Sequence, residues 1–132
     1  MTQEDKELLL KDLSARLPYK VKVCLYKKEM CILMGIDGYE VYLDVDSDSF
    51  RIESIKPYLR SITSMTKKER EEFDYIRDIV AAKFINAVSK DGFTLAYYDL
   101  IDWLNAHHFD YRGLIPMGLA IAVDENNNPY DI

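Results

Sequence analysis

The residues best suited to chemistry lie close together between positions 99 and 112. They are carboxylates, an amide, two imidazoles, a phenol and a guanidinium: Asp99, Asp102, Asn105, His107, His108, Asp110, Tyr111 and Arg112. Such side chains supply metal ligands, or an acid and base pair for hydrolysis, when they share one site. A small hydrolase or metal-dependent enzyme using His107, His108 and Asp110 is therefore one function that the sequence allows.

The spacing of these residues argues against a metal site. Neighbouring histidines on a helix point about 100° apart, so His107 and His108 can share a metal only if the helix has ended. Neither histidine lies four residues from Asp102, and no HExxH motif is present. We predict no metal and no cofactor, and interpret the histidines as neighbours of free helix carbonyls, with Asp110 capping the next turn.

A catalytic nucleophile is also hard to find. Cys24 and Cys31 lie on predicted strands without a nearby histidine, and no GxSxG elbow is present. Their spacing matches neither a zinc pair nor a redox pair, so both are interpreted as thiols. These features favour a non-enzymatic protein, while a triad assembled from distant positions stays open.

Aromatic side chains point to binding instead. The chain has ten tyrosines, and a tyrosine offers large contact area with a polar tip, which suits a protein interface. Tyr42 beside Leu33 is predicted to lie on the solvent face of a sheet. Trp103 and Tyr111 are interpreted as core or rim residues in preference to a stacking platform. The candidate binding residues are Leu33, Tyr42, Trp103, His107, His108, Asp110, Tyr111 and Arg112.

Two capping boxes mark the starts of helices. Thr2 with Asp5 precedes a leucine stripe that Pro18 ends, which predicts a first helix from Gln3 to Arg16. Thr66 with Glu69 precedes a second helix that should end before Gly92. Its predicted inner stripe consists of Phe73, Ile76, Val80, Phe84 and Val88.

The polar cluster is predicted to lie on a third helix and the turn that follows it. This helix runs from Leu95 to His107, and a short turn runs from Tyr111 to Ile115 until Pro116 and Gly118 end it. Leu119 to Val123 is a candidate fifth strand. Residues 124–132 read as a polar tail.

From Tyr19 onward apolar residues recur with a period of two, which predicts strands. Turns centred on Lys27-Lys28, on a type I′ Asp37-Gly38 and on Ser47-Asp48 all place apolar pairs on one face. The predicted pairs are Val21 with Met34, Val23 with Ile32, Leu25 with Met30, Ile36 with Tyr39, Met34 with Val41, Ile32 with Leu43, Val45 with Phe50 and Leu43 with Ile52.

The same register assigns the opposite face to solvent. It sets Cys24 opposite Cys31 and Asp44 opposite Arg51, with Leu33 on this polar face. Pro57 should end the fourth strand or lie at its edge, and Lys56 to Arg60 should lead into a loop. The predicted fold is one α+β domain over residues 1–132, a four-stranded antiparallel meander with three helices packed on one face.

Composition narrows the setting of the protein. The 132 residues carry a net charge of −6, which disfavours general affinity for nucleic acid, and no apolar run approaches the roughly 20 residues that cross a bilayer. The chain start lacks the pattern of a signal peptide, so we expect a cytoplasmic protein that binds no membrane. A local basic edge with Lys20, Lys22, Lys56, Arg60, Lys67 and Lys68 keeps a nucleic-acid accessory role open.

Three stretches of the chain resemble a known group of proteins. Glu4–Tyr19, Ile55–Arg60 with Ser64–Thr66, and Asp102–Ile115 are similar to short uncharacterised proteins of gut Bacteroides-type bacteria and their phages or prophages, over about a third of the chain. The resemblance implies a cytoplasmic accessory protein and assigns no catalytic residue.

Three hypotheses follow, in order of preference. The first is a non-enzymatic protein that binds and modulates a host protein, the second is the small hydrolase or metal-dependent enzyme, and the third is the nucleic-acid accessory protein. A homodimer formed through an edge strand is compatible with each of them.

Overall fold

A six-stranded sheet and three helices make up the fold of the computed structural model, which describes residues 1–45, 47–86 and 90–130, with the side chains of 84–95 outside that description. The strands are β1 (Lys22–Leu25), β2 (Glu29–Asp37), β3 (Glu40–Leu43), β4 (Ser49–Arg51), β5 (Ile55–Leu59) and β6 (Ile121–Ala122). Their order is β4-β3-β2-β1-β5-β6, and all neighbours are antiparallel except β5 and β6, which run parallel. The predicted α+β class and the antiparallel meander are confirmed.

The helices are α1 (Gln3–Arg16), α2 (Lys67–Asn86) and α3 (Lys90–Ala106). The first matches its prediction, including the reciprocal bonds of the Thr2 capping box. The third begins at Lys90 rather than Leu95, because one glycine inside a helix costs only about 1 kcal/mol and Gly92 does not stop it. Phe84 and Val88 of the predicted stripe lie outside the described side chains. Within the described ranges, no helix combines the length and apolar character needed to cross a bilayer.

The hydrophobic core lies between α1 and one face of the sheet. Leu9 and Leu13 of α1 are fully buried against strand residues such as Val23 and Val41, and the loop before β6 adds Leu114. Burying such side chains contributes about 1.5 to 3 kcal/mol each. α2 packs mainly along α3, and among the described side chains the core cluster includes none from either helix.

The register between β1 and β2 differs from the prediction by one residue. Val23 pairs with Cys31 rather than Ile32, and Cys24 pairs with Met30. The turn is closed by a bond from the Lys28 amide to the Leu25 carbonyl. This shift exchanges the two faces of β2, so the predicted pairing of Cys24 with Cys31 was wrong.

A β-bulge separates two parts of the β2–β3 ladder. Leu33 pairs with Leu43, but Gly35 pairs with Tyr42, so Met34 is an extra residue on β2. The turn residues are Gly38-Tyr39 rather than Asp37-Gly38, and only Gly38 has a positive φ, of 61°. A positive φ at the first central position is the pattern of a type II′ turn, which explains why the type I′ prediction was wrong.

The segment predicted as the fourth strand and a loop forms two strands. β4 pairs Val41 with Phe50 rather than Val45 with Phe50, and Glu40 rather than Asp44 lies opposite Arg51. A 3-10 turn (Ile52–Ser54) then leads into β5, which pairs with β1.

Pro57 lies inside β5, opposite Val23. The bond from the Tyr26 amide to the Ser54 carbonyl sets the alternation of the ladder and turns the Pro57 nitrogen away from β1. On its other side β6 pairs only with Tyr58 and Leu59, so no ladder bond needs the missing N–H.

Candidate functional site

The predicted polar cluster lies where α3 ends. His108 adopts a left-handed conformation with φ of 64°, its amide donates to Asn105, and the amide of Phe109 donates to Leu104. These two bonds form a Schellman motif, in which glycine is the usual left-handed residue. Because the helix has ended before His108, the two histidine rings leave the chain in different backbone conformations.

The ring of His107 is tied to α3. Its Nδ1 lies 2.8 Å from the carbonyl oxygen of Trp103, and a carbonyl only accepts, so Nδ1 carries the hydrogen. The ring also stacks on Trp103 with centroids 4.1 Å apart. Trp103 in turn lies 5.9 Å from Phe73 of α2 and donates from Nε1 to Glu72. His107 therefore stabilises the last turn of α3, and Trp103 joins α3 to α2.

The ring of His108 faces the C-terminal segment. It stacks on Tyr130 with centroids 3.7 Å apart, and its buried Nδ1 has no hydrogen-bond partner among the described residues. Burial, followed by the charges of Arg16 and Arg60, lowers the pKa of His108 to about 4. A neutral imidazole therefore lies on Tyr130 at neutral pH.

Asp110, Tyr111 and Arg112 each bind a different part of the chain. Asp110 accepts from the amides of Leu114 and Ile115, so the turn it caps lies later than the predicted Tyr111–Ile115. Tyr111 donates to Asn105 Oδ1 at 2.9 Å. Arg112 Nε lies 3.3 Å from Asp12 Oδ1, an ion pair without hydrogen-bond alignment.

A fully buried ion pair, which the sequence analysis missed, lies beside the end of α3. Arg16 donates to both carboxylate oxygens of Asp12, at 2.7 and 3.2 Å, and to the Phe109 carbonyl at 2.7 Å. Both side chains are 0% exposed. The i, i+4 spacing of Asp12 and Arg16 on α1 was the available signal, but it does not reveal that the pair is buried.

A second ion pair joins β5 to α2. Arg60 donates two parallel bonds to Glu69, at 2.7 and 2.6 Å, and a third to the His107 carbonyl. The bonds from Arg60, then the amide and hydroxyl of Thr66, hold the pKa of Glu69 at about 2 against the opposing effect of burial. Arg60 is 5% exposed, which removes it from the basic edge proposed for nucleic acid.

The three stretches that carry the sequence resemblance meet at the end of α3. Arg16 from the first and Arg60 from the second bind carbonyls of the third, at Phe109 and His107. A cavity of about 220 Å³ beside them is lined in part by both histidines, Glu69 and Tyr130. Among the described residues, no three histidine, cysteine or carboxylate side chains are grouped to hold a metal ion. Because most polar side-chain atoms at the end of α3 bind other parts of the chain, we interpret this region as a structural junction.

Leu33 and Tyr42 do not form the predicted exposed pair. Leu33 is 2% exposed and belongs to the core, because the one-residue shift turns it towards α1. Tyr42 is 38% exposed and lies over Gly35, where an added Cβ would be 3.7 Å from its ring. The prediction was right about the exposure of Tyr42 and wrong about its partner.

Methionines occupy the place predicted for Leu33. Met30 is 51% and Met34 61% exposed, and Ile32 between them is half-buried. Met30, Ile32 and Tyr42 lie on the sheet face opposite the core, and Met34 projects at the bulge. We call Met30, Ile32, Met34 and Tyr42 the outer apolar surface.

The strands that carry this surface are strongly acidic. Residues 29–51 contain six carboxylates and one basic residue, so they hold five of the six net negative charges of the chain. Glu29, Glu40 and Asp44 are exposed, and Asp44 also accepts from the Ile32 amide at 2.8 Å. An apolar surface is therefore bordered by negative charge.

Against protein-family models, curated proteins and solved structures, the chain gives no significant match.

Proposed function

We propose that the protein is a non-enzymatic binding protein that contacts a partner protein through its outer apolar surface. The observation that carries the proposal is the exposure of Met30 and Tyr42 on the sheet face opposite the core, together with Met34, which projects at the bulge. Soluble proteins seldom leave such side chains grouped in water without use, and methionine adapts well to a partner surface.

The charge around this surface specifies the chemistry of the partner. The carboxylates of residues 29–51 favour a segment whose apolar side chains are flanked by lysine or arginine. An apolar centre with a charged rim is the usual anatomy of a protein interface. The resemblance to proteins of gut bacteria and their phages supports a cytoplasmic host protein as the partner.

The junction at the end of α3 gives less support to an enzyme. Asp110 binds two backbone amides and His107 Nδ1 binds a backbone carbonyl, so neither Asp110 nor Nδ1 is aligned for proton transfer to the other. Arg60, the centre of the proposed basic edge, is bound to Glu69. A binding role instead uses the exposed side chains of the outer apolar surface.

Affinity capture with matched variants tests the proposal. Immobilised protein is incubated with lysate of a gut Bacteroides-type bacterium, and the captured protein is then purified and its Kd measured. We expect Met34→Glu to weaken binding at least tenfold, because it adds charge to an apolar and already acidic contact. Tyr75→Glu on α2, where Tyr75 is 69% exposed, is the control and should bind as the wild type does.

Three results would contradict the proposal. Equal affinity of the Met34→Glu and wild-type proteins would place the contact elsewhere. Loss of binding in both variants would remove the role of the outer apolar surface. Elution of the wild type as a dimer that Met34→Glu dissociates would make a second copy of the chain the occupant.

A further inference from the structure

A separate cavity lies at the end of the sheet where β1 turns into β2 and the 3-10 turn enters β5. Its volume is about 340 Å³, within the range of roughly 300 to 1,000 Å³ typical of small-molecule sites. It does not include any residue of the outer apolar surface or of the junction at the end of α3.

One part of the cavity wall is apolar. Ile121 of β6 is half-buried and lines this part of the cavity. Tyr26 adds an aromatic ring, and Cys24, only 6% exposed, adds a thiol. This lining suits the body of an aliphatic or aromatic molecule.

The other part of the wall carries unbalanced positive charge. Lys27 and Lys56 both line the cavity, and neither side-chain ammonium group makes a hydrogen bond or ion pair with a described residue. The cavity also has a carboxylate, Glu53, but that group lies 3.5 Å from the ammonium of Lys6 outside it. Two amines in a chain of net charge −6 therefore face one space without a counter-charge of their own.

The turn that carries Lys27 has an unusual backbone. Tyr26 and Lys27 have φ of 52° and 63°, a left-handed conformation that residues with side chains seldom adopt in succession. The Tyr26 amide donates to the Ser54 carbonyl at 2.9 Å, which fixes the turn to the opposite wall. Tyr26 and Lys27 are the two central residues of the β1–β2 hairpin turn, where a type I′ turn requires this conformation, and the turn holds both lining residues in place.

We propose that this cavity binds a small organic anion, with its carboxylate or sulfonate group at Lys27 and Lys56 and its apolar body against Tyr26 and Ile121. The two ammonium groups supply the charge that the anion needs, and the apolar wall excludes water from its body. This site is independent of the proposed protein partner.

Titration with 8-anilinonaphthalene-1-sulfonate tests the site, because this probe is an aryl sulfonate whose fluorescence rises in an apolar cavity. We expect saturable binding of one probe per chain, weakened at least tenfold in the double variant Lys27→Met and Lys56→Met. Lys28→Met is the matched control, since Lys28 lies on the same turn but outside the cavity lining, and it should bind as the wild type does.

Cys24 provides a second measurement that needs no variant of the lysines. Iodoacetate, an anion, should alkylate Cys24 several-fold faster relative to free thiol than neutral iodoacetamide does, and the bound probe should slow both reactions. Absence of saturable probe binding, equal binding by the double variant, or an equal relative rate for the two reagents would overturn the proposal. Loss of probe binding in Met34→Glu alone would assign the probe to the outer apolar surface instead.

Discussion

The hydroxyl of Tyr130 donates to the carbonyl oxygen of Tyr58 at 2.7 Å and accepts from the Lys22 amide at 2.9 Å. In a regular ladder, the alternation between β1 and β5 would have Lys22 donate directly to Tyr58. The phenol therefore replaces a backbone bond and joins residues 124–130, predicted as a polar tail, to the middle of the sheet.

Removing this hydroxyl should destabilise the protein. Tyr130→Phe leaves the Lys22 amide and the Tyr58 carbonyl without their partner, which costs about 1 to 3 kcal/mol of unfolding free energy. Urea denaturation of the variant and the wild type measures the loss. Tyr98→Phe, at a tyrosine that is 59% exposed, is the control. Equal stability of the two variants would contradict the bridging role.

The stability of the protein should depend on His108 at mildly acidic pH. Its pKa is about 4 in the folded state and about 6.5 when unfolded, so the unfolded chain binds a proton first as the pH falls. Unfolding free energy should drop between pH 6.5 and 4, by about 1 to 2 kcal/mol after allowance for partial exposure. His108→Asn, which tolerates the left-handed backbone, should lose this slope. An unchanged slope in the variant would assign the effect to another group.

Glu69 should act in a lower pH range. Its pKa is about 2 in the folded state against 4.5 as the ordinary value, so its stabilisation is complete above pH 4.5 and is lost as the pH falls through 2. Glu69→Gln leaves Arg60 without its counter-charge and should cost about 3 kcal/mol at pH 7. Chemical denaturation across this range should show the two proteins converging towards pH 2. A constant difference would contradict the ion-pair account.

Adjacent residues of β2 test the register. Leu33→Ala should cost about 2 to 5 kcal/mol because Leu33 is buried in the core. Met34→Ala should change stability by no more than about 0.5 kcal/mol because Met34 is exposed. The predicted register requires the reverse order, so the two urea midpoints decide between them.

The strands were predictable in kind but not in register, and β2 shows why. Its run from Met30 to Met34 is apolar at every position, so both faces satisfy the pattern and a one-residue shift leaves no trace in the sequence. β5 was missed for a different reason. Proline is usually excluded from the interior of a sheet, so Pro57 argued against a strand at this position. Only the orientation of its nitrogen in the folded ladder makes Pro57 acceptable there.

In the candidate sites, local features were predictable from the sequence and contacts between distant residues were not. Capping by Thr2 and Thr66 is local and was read correctly from spacing. The burial of Arg16 depends on the Phe109 carbonyl, 93 residues away in the chain, and no local pattern reports it. The cavity beside Lys27 and Lys56 also exists only once β1, β5 and β6 are neighbours.

The bulge in β2 holds one residue more than its hydrogen bonding needs. A chain lacking Met34 would still pair Leu33 with Leu43 and its next residue, Gly35, with Tyr42, now without interruption. Such a shortened strand would keep Leu33 in the core and forfeit the most exposed of the methionines that the structure describes. The irregularity thus contributes nothing to the continuity of the ladder and one protruding thioether to the outside of the molecule.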